Sequence, residues 1–95
     1  METRVSRIDE ATHVDALRRL RRIEGQARGL QRMITEGRDC REVIQQLIAL
    51  RAASHAVSIR LLEAHATQCL NEVADGEERQ QALAQLVGMI ARLAD

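Results

Sequence analysis

An uninterrupted helical pattern over residues 39–74 limits the folds that this chain can adopt. Asp39, with Glu42 three residues later, is typical of a helix N-terminus, and the apolar spacing continues until Asp75 and Gly76 break it. The predicted helix has about 35 residues and is roughly 50 Å long. A helix of that length is too long for a compact monomer of 95 residues, so we expect it to pack against a second copy of the chain.

Shorter helices are predicted on either side of this long one. Apolar residues at spacings of three and four predict a first helix over residues 12–36, which begins with a capping box of Thr12 and Asp15 and stops at Gly37. A third helix is predicted over residues 77–93. The sequence contains no strand pattern and no tandem repeat, so it predicts an all-α fold with three helices and a long central one.

The predicted domain organisation is simple. Residues 1–9 are expected to form a disordered tail, and residues 10–95 a single helical domain. Gly25 and Gly29 lie on the same face of the first helix, where glycine costs stability. Their spacing therefore predicts that another helix approaches this face closely.

The composition indicates that a single chain has a thin core. There is no aromatic residue, so the core must be built from Leu, Ile, Val, Met and Ala, and small chains of this kind usually need a metal or a partner. No apolar run approaches the length of a membrane span, and residues 1–10 lack the core of a signal peptide. We therefore expect a cytoplasmic protein with no membrane partner, in which the two cysteines act as thiols or metal ligands.

The charge is distributed unevenly although the net charge is zero. Residues 1–60 contain 12 Arg and 8 acidic residues, a net charge of +4, whereas residues 61–95 contain 2 Arg and 6 acidic residues, a net charge of −4. Arginine binds phosphate through its planar fork, so the arginine excess is compatible with contact with DNA and equally compatible with a solvated helix face. The candidate DNA contacts are Arg18, Arg19, Arg22 and Arg51.

Cys40, His65 and Cys69 fall on one narrow stripe of the predicted central helix. At about 100° per residue, 25 steps rotate by about −20° and 29 steps by about +20°. Cys40 nevertheless lies about 37 Å from His65 along the helix axis, so one chain cannot assemble all three. If two copies pack antiparallel about a twofold axis, Cys40 of one chain meets His65 and Cys69 of the other at two equivalent sites.

The chemistry of this ligand set points to a soft metal ion. Two thiolates and one imidazole select Cu(I) or Zn(II) over hard cations, and three ligands suit trigonal Cu(I), whereas a structural zinc ion usually takes a fourth. A His and a Cys four residues apart are weak evidence by themselves, because a partly buried thiol beside a surface imidazole gives the same pattern. The addition of Cys40 strengthens the metal interpretation.

Several segments of the sequence resemble the CsoR/RcnR/FrmR family of metal-sensing repressors, in particular its copper-sensing CsoR branch. These segments are Leu20-Arg21-Arg22-Ile23-Glu24-Gly25-Gln26, Asp39-Cys40, Gln45-Gln46-Leu47-Ile48-Ala49-Leu50-Arg51-Ala52-Ala53 and Glu63-Ala64-His65-Ala66-Thr67-Gln68-Cys69. The resemblance covers about residues 10–93. It implies a disc-shaped tetramer made from two dimers, with Cu(I) held by Cys40 of one chain and by His65 and Cys69 of its neighbour. It also implies that the metal-free protein binds operator DNA and that copper releases it.

The sequence departs at three positions from patterns found within this family. Ile8 stands where the nickel and cobalt sensors carry a histidine. Asp39 and Gln85 stand where copper sensors often carry a Tyr and a Glu that support the ligating histidine, and the resemblance assigns them that supporting role. Persulfide sensors of the family keep both cysteines but lose the histidine, whereas His65 is present here.

The functional hypothesis is a Cu(I)-responsive transcriptional repressor that is not an enzyme, since no catalytic pattern stands out. The sequence is also compatible with a thiol- or persulfide-responsive repressor that uses Cys40 and Cys69 across chains. A copper buffer without DNA activity and a purely structural helical bundle are two further hypotheses. Residues 18–32 contain six arginines and one acidic residue, and this arginine-rich stretch argues against the buffer. The aligned Cys–His–Cys stripe argues against the structural bundle.

Overall fold

Three helices make up the chain in the computed structural model, which describes residues 8–72 and 76–94. They are α1 (Glu10–Thr35), α2 (Cys40–Glu72) and α3 (Gly76–Ala94), and these described ranges contain no strand. The all-α prediction with a long central helix is confirmed. Most of the predicted tail over residues 1–9 and the predicted end of the central helix at residues 73–74 lie outside the described residues. No helix in the described ranges is long and apolar enough to cross a membrane.

Helix α1 begins two residues earlier than the capping box of Thr12 and Asp15 predicts. Asp9 is the N-cap, and its carboxylate accepts a hydrogen bond from the backbone N–H of Thr12 at 3.1 Å. The hydrogen bonds from Thr12 lower the pKa of Asp9 below its ordinary value. The predicted start is wrong because Asp9 provides a full cap for the first turn, while Asp15 is bound by arginine side chains instead.

Gly37 ends α1 as predicted. Its φ of 73° lies in the left-handed region, which a residue without a Cβ adopts without strain. The N–H of Gly37 donates to the carbonyl of Ile34 at 3.1 Å, and the N–H of Arg38 donates to the carbonyl of Met33 at 2.9 Å. This pair of hydrogen bonds is the Schellman motif, which satisfies carbonyls that the helix end leaves unpaired.

Asp39 begins α2 as predicted, although the capping box is incomplete. The Asp39 carboxylate accepts a hydrogen bond from the backbone N–H of Arg41 at 2.9 Å. The predicted second member of the box, Glu42, instead forms an ion pair with Arg38 at 2.9 Å. The turn between α1 and α2 is therefore closed by capping hydrogen bonds and by one exposed ion pair.

Both outer helices run antiparallel to α2. Asp15 near the start of α1 contacts Arg60 in the second half of α2, whereas Leu30 near the end of α1 shares a depression with Gln46 in the first half of α2. At the other side of α2, Nε2 of His55 lies 3.1 Å from the last-turn carbonyl of Leu93 in α3. In the described residues α1 and α3 do not contact each other, so α2 is the element that joins them.

The core of the single chain is thin, as the composition predicts. The buried apolar residues in the described ranges are Ala16, Leu30, Val43, Val57 and Leu86. Each of the three helices also exposes large apolar side chains to solvent: Val14, Leu17, Leu20, Ile34, Ile44, Leu47, Ile48, Leu83, Val87 and Ile90. Exposed apolar surface on this scale is typical of a surface that binds another protein. The molecule measures 57 × 28 × 20 Å, which reflects the length of α2.

The predicted close approach at Gly25 and Gly29 is not found within the chain. A Cβ at Gly25 has no neighbouring atom within 4 Å, and a Cβ at Gly29 meets only the flexible end of Arg32 at 3.8 Å. Within the described residues no helix approaches these glycines closely, and a close approach by a helix of another chain stays a prediction.

Replacing Gly37 tests the importance of the left-handed turn. We expect Gly37→Ala to lower the free energy of unfolding by about 1 kcal/mol, because an L-residue with a Cβ is strained in this conformation. Gly37→Asn should cost less, since asparagine tolerates the left-handed region better than alanine. Urea denaturation followed by circular dichroism measures both. Equal losses for the two variants would contradict a conformational origin of the effect.

Candidate metal and nucleic-acid sites

The predicted metal ligands Cys40 and His65 lie far apart in the single chain. Cys40 is the first residue of α2 and carries an exposed, free thiol. Helix α2 continues without a break to Glu72, so 25 residues of helix, about 37 Å, separate Cys40 from His65. Among the side chains that the structure describes, no three His, Cys, Asp or Glu groups come together to hold a metal ion. The backbone of Cys69 continues α2, and its side chain lies outside the described residues.

His65 lines an apolar groove between α2 and α3. The groove has a volume of about 500 Å³ and is also lined by Ile8, Ser58, Leu61, Leu62, Met89, Arg92 and Leu93. The His65 residue is exposed to solvent at this groove. It is therefore accessible to a ligand or to a second chain, while α3 and Ile8 cover part of its surroundings.

The two residues predicted to support the ligands have different positions. Asp39 precedes Cys40 and caps α2, so it fixes the backbone that carries the thiol. Gln85 is exposed on α3, one helical turn before Met89 in the groove. In the described part of the single chain, no hydrogen bond joins Gln85 to His65.

Three of the four predicted DNA contacts lie together on α1. Arg18, Arg19 and Arg22 line a small surface depression of about 140 Å³. Arg18 is highly exposed, with 70% of its side chain accessible. The cluster therefore presents guanidinium groups at the surface, where they can bind an anion.

Arg51 is separate from this cluster. It lies on α2 beside another depression, of about 360 Å³, which His55, Leu93 and Ala94 also line. His55 contacts the carbonyl of Leu93 there, and a histidine at a helix C-terminus satisfies a carbonyl that has no partner within the helix.

Asp15 links the arginine cluster to α2. Its carboxylate accepts hydrogen bonds from Arg18 at 2.6 Å and from Arg19 at 2.8 Å, and it contacts Arg60 at 3.3 Å. The hydrogen bond from Arg19 is the largest cause that lowers the pKa of Asp15, and Arg18 and the charge of Arg60 act in the same direction, against a smaller opposing effect of burial. Sequence reasoning missed Arg60, because only the register between α1 and α2 brings residues 45 positions apart into contact.

Comparison with known proteins identifies the family. Residues 12–92 match the family described as metal-sensitive transcriptional repressor. The chain belongs to this family. It is therefore a transcriptional repressor rather than an enzyme, which confirms both predictions, and the resemblance to CsoR-type sensors is confirmed as well.

Individual relatives of the repressor support the same assignment. This chain is 36% identical over 74 residues to the copper-sensing transcriptional repressor CsoR of Bacillus subtilis, and the match covers 78% of this chain and 73% of that protein. It is 41% identical over 78 residues to the copper-sensing transcriptional repressor RicR of Mycobacterium tuberculosis, covering 80% of this chain and 81% of that protein.

Solved structures share the fold of the repressor. The copper-sensing repressor CsoR with Cu(I) from Geobacillus thermodenitrificans superposes with a TM-score of 0.80 at 33% identity, covering 100% of this chain and 95% of that one. The nickel-responsive transcriptional regulator InrS superposes with a TM-score of 0.72, also at 33% identity, covering 93% of this chain and 96% of that one. The same three-helix fold thus occurs in proteins described as responding to different metals.

The ion pairs of Asp15 predict an acid-dependent loss of stability. Because the pKa of Asp15 is lowered from 3.8, its contribution is complete above that value and disappears as the pH falls through the lower pKa of the folded chain. We expect the urea midpoint of Asp15→Asn to fall less than that of the wild type between about pH 5 and about pH 3.

Glu24→Gln is the charge-matched control for this experiment. It removes a carboxylate from the same helix, but the ion pair of Glu24 with Arg28 is largely exposed on both sides. Exposed pairs of this kind contribute little to stability. An acid-induced change in Asp15→Asn as large as that of the wild type would contradict a stabilising role for the Asp15 cluster.

Proposed function

We propose that the chain is a Cu(I)-responsive repressor that binds operator DNA without metal and releases it when copper binds. The observation that carries this proposal is the position of Cys40 and His65 on one stripe of an unbroken helix, about 37 Å apart. One chain cannot bring these donors together. An antiparallel second copy places Cys40 of one chain beside His65 and Cys69 of the other, so both sites of a dimer are completed by symmetry.

The donor set favours copper over harder ions. Two thiolates and an imidazole are soft ligands that match Cu(I), and three donors satisfy its trigonal geometry. The relatives CsoR and RicR are named as copper-sensing, and the CsoR structure contains Cu(I). Ile8 lies in the groove with His65, where its aliphatic side chain adds no donor to this set. Asp39 and Gln85 are proposed to support the ligands, Asp39 by fixing the helix end that carries Cys40.

The exposed apolar surface supports the assembly that this site requires. Exposed apolar residues recur on α2 at Ile44, Leu47 and Ile48 and on α3 at Leu83, Val87 and Ile90. These spacings form stripes along the two helices, as expected for helix–helix interfaces. We propose that the long central helices pair into an antiparallel dimer of four-helix-bundle type and that two dimers form a disc-shaped tetramer.

The arginine cluster on α1 provides the proposed DNA surface. Arg18, Arg19 and Arg22 surround a common depression, and arginine forks bind phosphate oxygens bidentately. Arg51 is a further proposed contact on α2. The protein acts on DNA in the cytoplasm under this proposal, and copper releases the operator because it binds the DNA-free form more tightly.

A thiol- or persulfide-responsive repressor is the second candidate, and it is favoured by one observation. The thiol of Cys40 is free and exposed, so an oxidant or a sulfur donor can reach it. Both candidates use the same scaffold and the same cysteines, but only the copper sensor needs the imidazole of His65. A copper buffer needs no cluster of arginines, and family membership provides no support for it.

Mixed dimers test whether the copper site lies between chains. We expect Cys40→Ala and Cys69→Ala each to abolish tight Cu(I) binding, because thiolates supply most of the affinity for a soft ion. When the two variants are refolded together, one of the two sites in each mixed dimer is complete, so binding should return to about one quarter of the wild-type amount. Anaerobic titration against a colorimetric Cu(I) chelator measures this stoichiometry.

The separate variants are the control for the mixed sample. If each site were built within one chain, neither type of chain could supply a complete site and mixing would restore nothing. Mixing that leaves copper binding at the level of the separate variants would therefore contradict the antiparallel arrangement.

Operator affinity with and without copper tests the regulatory mechanism. One Cu(I) per chain should weaken operator binding by a coupling free energy of about 1–3 kcal/mol, measured by fluorescence anisotropy at fixed salt. His65→Ala should bind copper less tightly and lose most of this coupling, because the imidazole connects the metal to its surroundings. His13→Ala, another exposed histidine outside the stripe, is the matched control and should respond like the wild type.

Each result of the anisotropy experiment distinguishes the candidates. Equal operator affinities with and without copper would mean that copper is not the signal. A normal copper response by His65→Ala would favour the thiol-responsive repressor.

A further inference from the structure

Asp15 brings arginines from two helices to one carboxylate. Arg18 and Arg19 come from α1, and Arg60 comes from α2. The Asp15 side chain is only 15% exposed, so it lies beneath the arginines rather than in solvent. This contact fixes the second half of α2 against the start of α1.

Arg19 and Arg60 are held close together by this carboxylate. Nε of Arg19 lies 2.8 Å from Oδ2 of Asp15, and Nη2 of Arg60 lies 3.3 Å from the same atom. The two nitrogens are therefore no more than about 6 Å apart, the sum of the two contacts. One phosphate group can contact donors on both side chains at this spacing.

Arg60 retains donors for another acceptor. Its contact with Asp15 engages Nη2, whereas a guanidinium carries five N–H donors. Half of the side chain, 51%, is accessible to solvent. The donors that Asp15 does not engage are therefore available to an anion at the surface.

The charge balance of the cluster also favours an anion. Three guanidinium groups surround one carboxylate, which leaves two positive charges uncompensated before Arg22 is counted. An ion pair that links the two helices needs only one arginine. Each further arginine at the same carboxylate adds repulsion between the cations. A bound phosphate relieves that repulsion, so the arrangement is suited to a polyanion.

We propose that Arg60 is a phosphate-binding residue of the operator surface, held beside the α1 arginines by Asp15. This inference rests on the proposed repressor function and extends its DNA surface from α1 onto α2. Asp15 is a positioning residue in this arrangement, because it acts through the arginines and not on DNA itself.

The salt dependence of operator binding by Arg60→Gln tests the proposal. Loss of one phosphate contact should flatten the plot of log affinity against log salt by about one unit, which corresponds to about tenfold weaker binding at 0.1 M salt relative to the wild type. Arg38→Gln is the matched control, since Arg38 has the same exposure, about 50%, and also pairs with one carboxylate, Glu42. Arg38→Gln should keep the wild-type slope.

Asp15→Asn separates phosphate binding from a purely structural role. Both Asp15→Asn and Arg60→Gln break the link between the helices, so both should lower the thermal midpoint. Only Arg60→Gln removes a cation. Asp15→Asn keeps all three arginines but loses their positioning, so it should keep the wild-type salt slope while its operator affinity falls at every salt concentration. Equal salt slopes for the wild type, Asp15→Asn and Arg60→Gln would overturn the proposal. Arg60 would then have only the structural role of linking α2 to α1 through Asp15.

Chemical protection of the wild-type protein gives a result that does not depend on a variant folding. Phenylglyoxal modifies accessible arginines, and mass spectrometry locates the modified residues. Operator DNA should protect Arg60 and leave Arg38 reactive. Equal modification of Arg60 with and without bound operator would also overturn the proposal, whereas a wild-type protein that does not bind the operator would contradict the proposed function itself.

Discussion

The continuity of α2 determines where the proposed copper site can form. From Cys40 to Glu72 the helix contains neither glycine nor proline, so nothing in its sequence allows the backbone to bend and bring its ends together. The proposed ligands on this helix can meet only across two chains. Under the proposed function, copper binding stabilises the assembled form by mass action, so copper binding and assembly are parts of one equilibrium.

The length of α2 accounts for the thin core of the single chain as well as for the proposed site between chains. A helix of 33 residues extends beyond what α1 and α3 can cover, and both outer helices also keep apolar stripes exposed. Aromatic residues, which enlarge the core of many small domains, are absent from the sequence. In the proposed assembly the aliphatic stripes supply the missing buried area, which makes such a composition compatible with a stable protein.

The elements that sequence analysis predicted well depend on local or periodic signals. The long helix and the stop at Gly37 follow from spacing and from the conformational freedom of one residue. The start of α1 was predicted wrongly because Asp9 and Thr12 are both good caps, and their energies differ by too little to decide from sequence. The contact of Asp15 with Arg60 had no signal in the sequence at all. It depends on the register between two packed helices, which side-chain packing sets and the apolar period does not encode.

The tertiary structure separates the candidate DNA contacts into two groups. It also shows no close helix approach at Gly25 within the described residues. Arg51 lies beside the end of α3 and not with the α1 arginines, although both groups belong to the same basic half of the chain. Among the described residues no atom lies within 4 Å of a Cβ at Gly25, so neither turn chemistry nor packing within one subunit explains this glycine. A charge count or a glycine spacing identifies candidates, but the helix faces that pack together decide their surroundings.

Because α1 and α3 contact α2 but not each other in the described residues, the subunit has a serial architecture. Substitutions on α3 therefore remove no contact of α1, and substitutions on α1 remove no contact of α3, within the described residues. Evolution can therefore alter residues of α3 without changing the contacts of α1, and residues of α1 without changing the contacts of α3. Relatives described as copper-sensing and as nickel-responsive share this fold, as expected if α1 and α3 can diversify independently.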